Sequence, residues 1–179
     1  MATTSSVAKD RPDLGPVFGS ITDEQDRRIR GILLEVDENL LALARHFELE
    51  RAGWEGTGLD LFSYPSGQVQ LSSFVEPCDK GDGNHSVSFC IELAPVSNHD
   101  DSCSEPAWDI ELEVYADCQH KEYCGSMHLV HDRPAVRTAS PIDAALALRD
   151  AAEELLRLGK ETPLASWLLL ASDDPQEPA

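Results

Sequence analysis

Residues 116 to 131, ADCQHKEYCGSMHLVH, gather two cysteines and three histidines into sixteen positions. Thiolate sulfur and imidazole nitrogen are preferred zinc donors, and a structural zinc takes four of them in a tetrahedron. Cys118, His120, Cys124 and His128 are the four candidates. Their spacing argues against a metal centre. Cys-x5-Cys is not a zinc knuckle, and the chain holds no Cys-x2-Cys pair. If Ser126 to His131 is a strand, His128 and His131 project to opposite faces, because their separation is odd. The reading adopted is a hairpin whose two strands end near Cys118 and Cys124. Antiparallel pairing brings such Cα atoms to about 5.5 Å, close enough for a disulfide in an oxidising setting. No bound transition metal and no other cofactor is expected.

Other chemistries fail on the same kind of test. A cysteine nucleophile needs a base and an electropositive setting that lowers its pKa. Cys118 has only His120 nearby, among carboxylates, and Cys90 has no base near it in sequence. DKGDGN, residues 79 to 84, fits a calcium loop poorly. Glycines stand at its third and fifth positions, and Cys90 stands where the closing glutamate belongs. GWEGTG, residues 53 to 58, lacks the Lys-Ser/Thr of a phosphate loop, and there is no Gly-x-Ser-x-Gly elbow.

The remaining candidate is the strand WDIELEVYAD, residues 108 to 117. Ile110, Leu112, Val114 and Ala116 alternate with Asp109, Glu111, Glu113 and Tyr115. Successive carboxylates on one face stand about 6.8 Å apart, given the rise of a strand. They belong to a wider asymmetry. From Glu76 to Asp117 eleven acids face a single base, Lys80, for a net charge of −10, more than half of the −19 carried by the whole chain. Such a surface repels nucleic acid and anionic membranes and attracts basic partners. Glu92, on the preceding strand, is expected to join the face. Charge spaced along one strand is sparser than a nucleic-acid backbone, at about 3.4 Å per phosphate, so mimicry of nucleic acid needs neighbouring strands as well.

The elements that must position this face follow from periodicity. Residues 1–20 read as a flexible arm. Thr22 caps a helix with Asp23, Glu24 and Asp26 in its first turn. Apolar residues then recur from Ile29 to Phe47 with helical period, to an end near Gly53. Period-two alternation follows, around Leu59–Leu61, Val69–Val75, Val87–Leu93, Trp108–Asp117 and Ser126–His131. Ser140 caps a second helix with Pro141 at its first position, and Gly159 is expected to end it. Thr162 and Pro163 open a short third helix. Residues 172–179 read as a disordered acidic tail. The prediction is one α+β domain over 21–171: an antiparallel sheet of about five strands, with a long N-terminal helix and C-terminal helices packed on one face.

No apolar run reaches the roughly 20 residues that span a bilayer, and the N-terminus lacks the apolar core of a secretory signal. A cytoplasmic location and reduced cysteines are therefore expected. The functional expectation is a non-catalytic interaction module, of the size and charge of an immunity protein, antitoxin, chaperone or inhibitor. It would dock a basic protein surface through Asp109, Glu111, Glu113, Tyr115 and Glu92, without binding nucleic acid or membrane. The alternative is a metal-dependent, hydrolase-like enzyme using carboxylates with His120 or His128.

Overall fold

The computed structural model describes residues 18–50, 54–56, 60–63, 68–77, 86–96, 106–118 and 127–173. Helix α1 spans Asp23–Glu50, followed by strands β1 (Trp54–Gly56), β2 (Asp60–Ser63), β3 (Val69–Pro77), β4 (Val87–Pro95), β5 (Trp108–Asp117) and β6 (Met127–Thr138). Helices α2 (Pro141–Glu161) and α3 (Leu164–Asp173) complete the described chain. The class is α+β. Every strand pairing is antiparallel, and β3 to β6 form a simple meander. These four long strands are the body of the sheet. The two short ones share one edge of β3: β1 pairs with its C-terminal end and β2 with its N-terminal half. The expected count of about five thus becomes six, four of them long.

Alternation decides which face is covered. Val69, Leu71 and Val75 of β3 lie across from Leu93, Ile91 and Val87 of β4, which lie across from Ile110, Leu112 and Ala116 of β5. All nine are buried. The three helices close over this face. Helix α1 supplies Ile29, Ile32, Val36, Leu40, Leu43 and Phe47, and α3 supplies Leu164, Trp167, Leu168 and Ala171. Phe47 stacks on Phe89 at 5.3 Å between ring centroids, and Trp167 meets the same ring edge-on at 6.0 Å. Phe18, within the stretch expected to be an arm, is 3% exposed and packs against Trp108. At the other end, residues 174–179 lie outside the described residues.

Helix termini follow local chemistry. The Thr22 hydroxyl accepts from Gln25 N, and Gln25 Oε1 accepts from Thr22 N at 2.9 Å, a reciprocal capping box. Ser140 Oγ accepts from Asp143 N, with Pro141 at the first helical position. The expectation for Gly159 is corrected. Helix α2 runs past it to Glu161, and Thr162 caps the C-terminus. Gly159 is buried at the crossing with α1, where a Cβ would collide with Leu43 and press on Phe47. Its hydrogen side chain serves close helix packing, not termination. Buried Ala144, Ala145, Ala151 and Ala152, interspersed with Leu148 and Leu155, keep much of the inner side of α2 small.

Strand β6 departs most from expectation. It was expected to end at His131 but spans twelve residues in all, Met127–Thr138. Pro134 is tolerated because β6 is the edge strand and one side of its backbone needs no partner. Two register irregularities against β5 bend the strand. They also overturn the parity argument for the histidines. One falls between Val114 and Tyr115, so His128 lies opposite Ala116 and His131 opposite Val114, both of which are core residues. A bulge adds one residue and restores two positions of odd separation to the same face. Bulges, Pro134 and the exposed Asp132 and Arg137 also make this edge a poor template for strand addition.

Candidate functional site

The face of the sheet turned away from the helices is built from the other phase of the same strands. Its centre is a grid of nine positions over β3, β4 and β5. Gln70, Glu92 and Glu111 form one cross-strand row, Ser72, Cys90 and Glu113 the next, and Phe74, Ser88 and Tyr115 the third. A fourth row carries Ala94, Asp109 and Arg137. The small side chains are sunk: Ser72 is 1% exposed, Ser88 3% and Cys90 4%. The larger residues around them are half-buried. The larger side chains thus cover the small ones, with carboxylates at one corner of the grid and aromatic rings at the opposite side.

The expected carboxylates do not behave alike. Asp109 is gripped by Arg137 through both guanidinium arms, Nε to Oδ1 at 2.8 Å and Nη2 to Oδ2 at 2.6 Å. That bidentate bond holds its carboxyl below the usual aspartate range. Glu113 accepts the Tyr115 hydroxyl at 2.7 Å. Burial and the adjacent Glu113 push the Tyr115 phenol up. Glu92 lies directly across from Glu111, and its carboxyl is raised, first by burial and then by repulsion from Glu111 and Glu113. Among the described residues no arginine, lysine or histidine forms an ion pair with Glu92, Glu111 or Glu113. Asp117, another acid of this segment, is 3% exposed and accepts from Ser86 N and Ser86 Oγ. It ties the start of β4 to the end of β5 and serves structure.

Cys90 sits at the centre of the grid. Its Sγ is 3.1 Å from Ser88 Oγ, and burial raises its thiol pKa, with Glu113 and Glu92 adding to the rise. A thiol raised in this way is a poor nucleophile. Ser72 Oγ, beside it in the register, is buried and has no hydrogen-bond partner.

Of the metal candidates, His120 and Cys124 lie outside the described residues. Cys118 is 2% exposed within the hydrophobic core. His128 stands at a helix-side register position, opposite Ala116, whereas Glu111 and Glu113 belong to the open face. The sheet separates His128 from the carboxylates with which an enzymatic reading would combine it. No group of three or more His, Cys, Asp or Glu placed to hold a metal ion occurs among the described residues. Likewise no helix there is long and apolar enough to cross a membrane.

Sequence reasoning missed the buried small residues at the centre of this face and its aromatic side. Ser72, Ser88 and Cys90 occupy the outer phase of β3 and β4, and that run of small residues in the outward phase of central strands was the available signal. The missing ingredient was the register that aligns them. No protein-family model, no curated protein and no solved structure matches this chain, so the reading of the open face rests on its own geometry.

Proposed function

We propose that the chain is a non-catalytic protein-interaction module that docks a basic protein surface through the open face of its sheet. One observation carries the reading: Glu92, Glu111 and Glu113 converge from two adjacent strands on the face turned away from the helices, with no cation among the described residues paired to them, at the cost of a raised Glu92 carboxyl. A solvated surface with no further role scatters its charges or laces them with bases, as α1 and α2 do through Arg30–Asp26 and Arg157–Glu161. Like charges held together are relieved when an opposite charge arrives, and such faces steer association and set specificity. Tyr115 adds the amphipathic contact area that interfaces favour. Asp109, already neutralised by Arg137, sits at the edge of the docking face and contributes less than its three neighbours.

The test is capture from native extract at low salt on wild-type protein and on E92Q/E111Q/E113Q, both shown to be folded. A basic protein that elutes from wild type as salt rises, and is absent from the variant, supports the reading. Equal retention by both baits overturns it.

A further inference from the structure

We infer that the exposed side of α1 is a self-association surface, on which a second copy of this chain packs its own α1 in antiparallel orientation. This surface belongs to the helix layer and does not rest on the docking reading of the open sheet face. Helix α1 buries Ile29, Ile32, Val36, Leu40, Leu43 and Phe47. On its other side Arg27, Gly31, Leu34 and Glu38 are all exposed. Their spacing of four, three and four residues sets them in one line along the helix, about 16 Å long. Leu34 is 43% exposed. Beside it, a Cβ built on Gly31 would meet nothing within 4 Å. Glycine is unfavourable in a helix interior, and no contact within the chain calls for it here, whereas Leu43 calls for it at Gly159. The stripe thus offers a protruding leucine next to bare backbone.

The charge pattern selects the occupant. Arg27 and Glu38 stand equally far from the midpoint of the stripe, and so do Gly31 and Leu34. Reversed end to end, the stripe is its own complement. A two-fold axis at the midpoint sets Arg27 of each copy against Glu38 of the other and seats each Leu34 on the other Gly31, so one surface satisfies itself twice. Exposed Arg28 and Glu35 follow the same rule of sign, base before the midpoint and acid after it. Neither Arg27 nor Glu38 forms an ion pair among the described residues, and Arg27 Nε reaches only the Asp23 backbone oxygen, at 3.3 Å. Arg30, off the line, is already held by Asp26. Two chains of charge −19 repel each other at low salt. At physiological ionic strength that repulsion is screened beyond about 8 Å, which leaves pairs in contact much less affected. One helix face is smaller than the roughly 1,600 Å² that stable complexes bury. Half-association therefore belongs in the upper micromolar range, above the concentrations of a thermal melt.

The experiment is sedimentation equilibrium of the full chain at physiological ionic strength, over a concentration series reaching the millimolar range. The expected result is a monomer–dimer equilibrium. Arg27→Glu sets like charges against Glu38 of the second copy, and Glu38→Arg does the same against Arg27. Each variant alone should associate at least several-fold more weakly than wild type. An equimolar mixture of the two should recover association, because each then offers the charge that the other lacks. Misfolding or general stickiness does not produce such a recovery. Gly31→Gln should also weaken association several-fold with an unchanged circular dichroism spectrum, since its side chain blocks the seat of Leu34 and meets nothing within one chain. A wild-type chain that stays monomeric throughout would overturn the inference. So would singly reversed variants that associate like wild type, or a mixture no more associated than its components.

Discussion

Phe89 and Cys90 are neighbours on β4, and they meet opposite environments. Phe89 is fully buried between Phe47 and Trp167 under the helices. Cys90 is buried among carboxylates, a tyrosine and serines on the face the helices leave open. On the helix side every position of the central strands but Ser73 is apolar, and complementary packing sets the energetics. On the open side like charges are held together. One face is arranged for the stability of the chain alone. The other carries local conflicts that folding by itself does not require, and such conflicts mark function more often than fold.

Substitutions on either face should separate these roles. The largest expected effect is on the helix side. Phe89→Ala should cost about 3–5 kcal/mol in denaturant unfolding, as deletion of a fully buried aromatic leaves a cavity. Glu111→Ala, between the core residues Ile110 and Leu112 but on the open face, should change stability by no more than about 0.5 kcal/mol. A loss at Glu111 as large as that at Phe89 would erase the distinction.

Two helical glycines sharpen the same contrast at smaller scale. Gly159→Ala drives a methyl into Leu43 and Phe47, and should destabilise by about 1–3 kcal/mol through overpacking. Gly31→Ala meets open space on the exposed side of α1, and should stabilise by about 0.5–1 kcal/mol through helix propensity. Thermal melts of the pair should move in opposite directions. A shared direction would mean that the helix crossing is looser than described.

The smallest effect belongs to Glu92, and its signature is its pH dependence. Its carboxyl is raised in the folded chain, so the ionised form is disfavoured by folding. The penalty is present above the raised value and absent below the ordinary glutamate range of about 4.3. Glu92→Gln should therefore raise the melting temperature near neutral pH, and the gain should shrink to nothing as pH falls through that window. Asp109 has the opposite sign. Its lowered carboxyl contributes stability above the ordinary aspartate range and loses it in acid. A Glu92→Gln variant that gained stability as pH fell would contradict the crowding of carboxylates on this face.

Most of the fold was legible because its signals are periodic. The stripe from Ile29 to Phe47, the alternation of β5 and the Ser140-Pro141 start each carry their structure in local pattern. The failures came where a tertiary constraint reassigns a local signal. Gly159 looked like a terminator, but it is needed small where α1 and α2 cross. The last strand was expected to stop at His131, but it runs on through Pro134, which an edge strand tolerates. The two histidines were assigned opposite faces by counting, and a bulge changed the count. At the candidate site, the acidic face of β5 was legible from alternation alone. Arg137 clasping Asp109, and Ser72 lying beside Cys90, depend on register between strands, which periodicity within one strand does not encode.

The central claim is that carboxylates of the open face, and not net charge in general, receive the basic partner. It is tested most directly by two variants that remove the same charge from different places. E92Q/E111Q/E113Q alters the open face, and E24Q/E38Q/E161Q alters exposed helical positions. Association rate constants with the captured partner are measured for both, and for wild type, at low and moderate salt. The account predicts a marked slowing and a shallower salt dependence for the open-face variant only, with the helical variant close to wild type. Equal slowing in both variants would show that overall charge attracts the partner and that the open face has no special part in it.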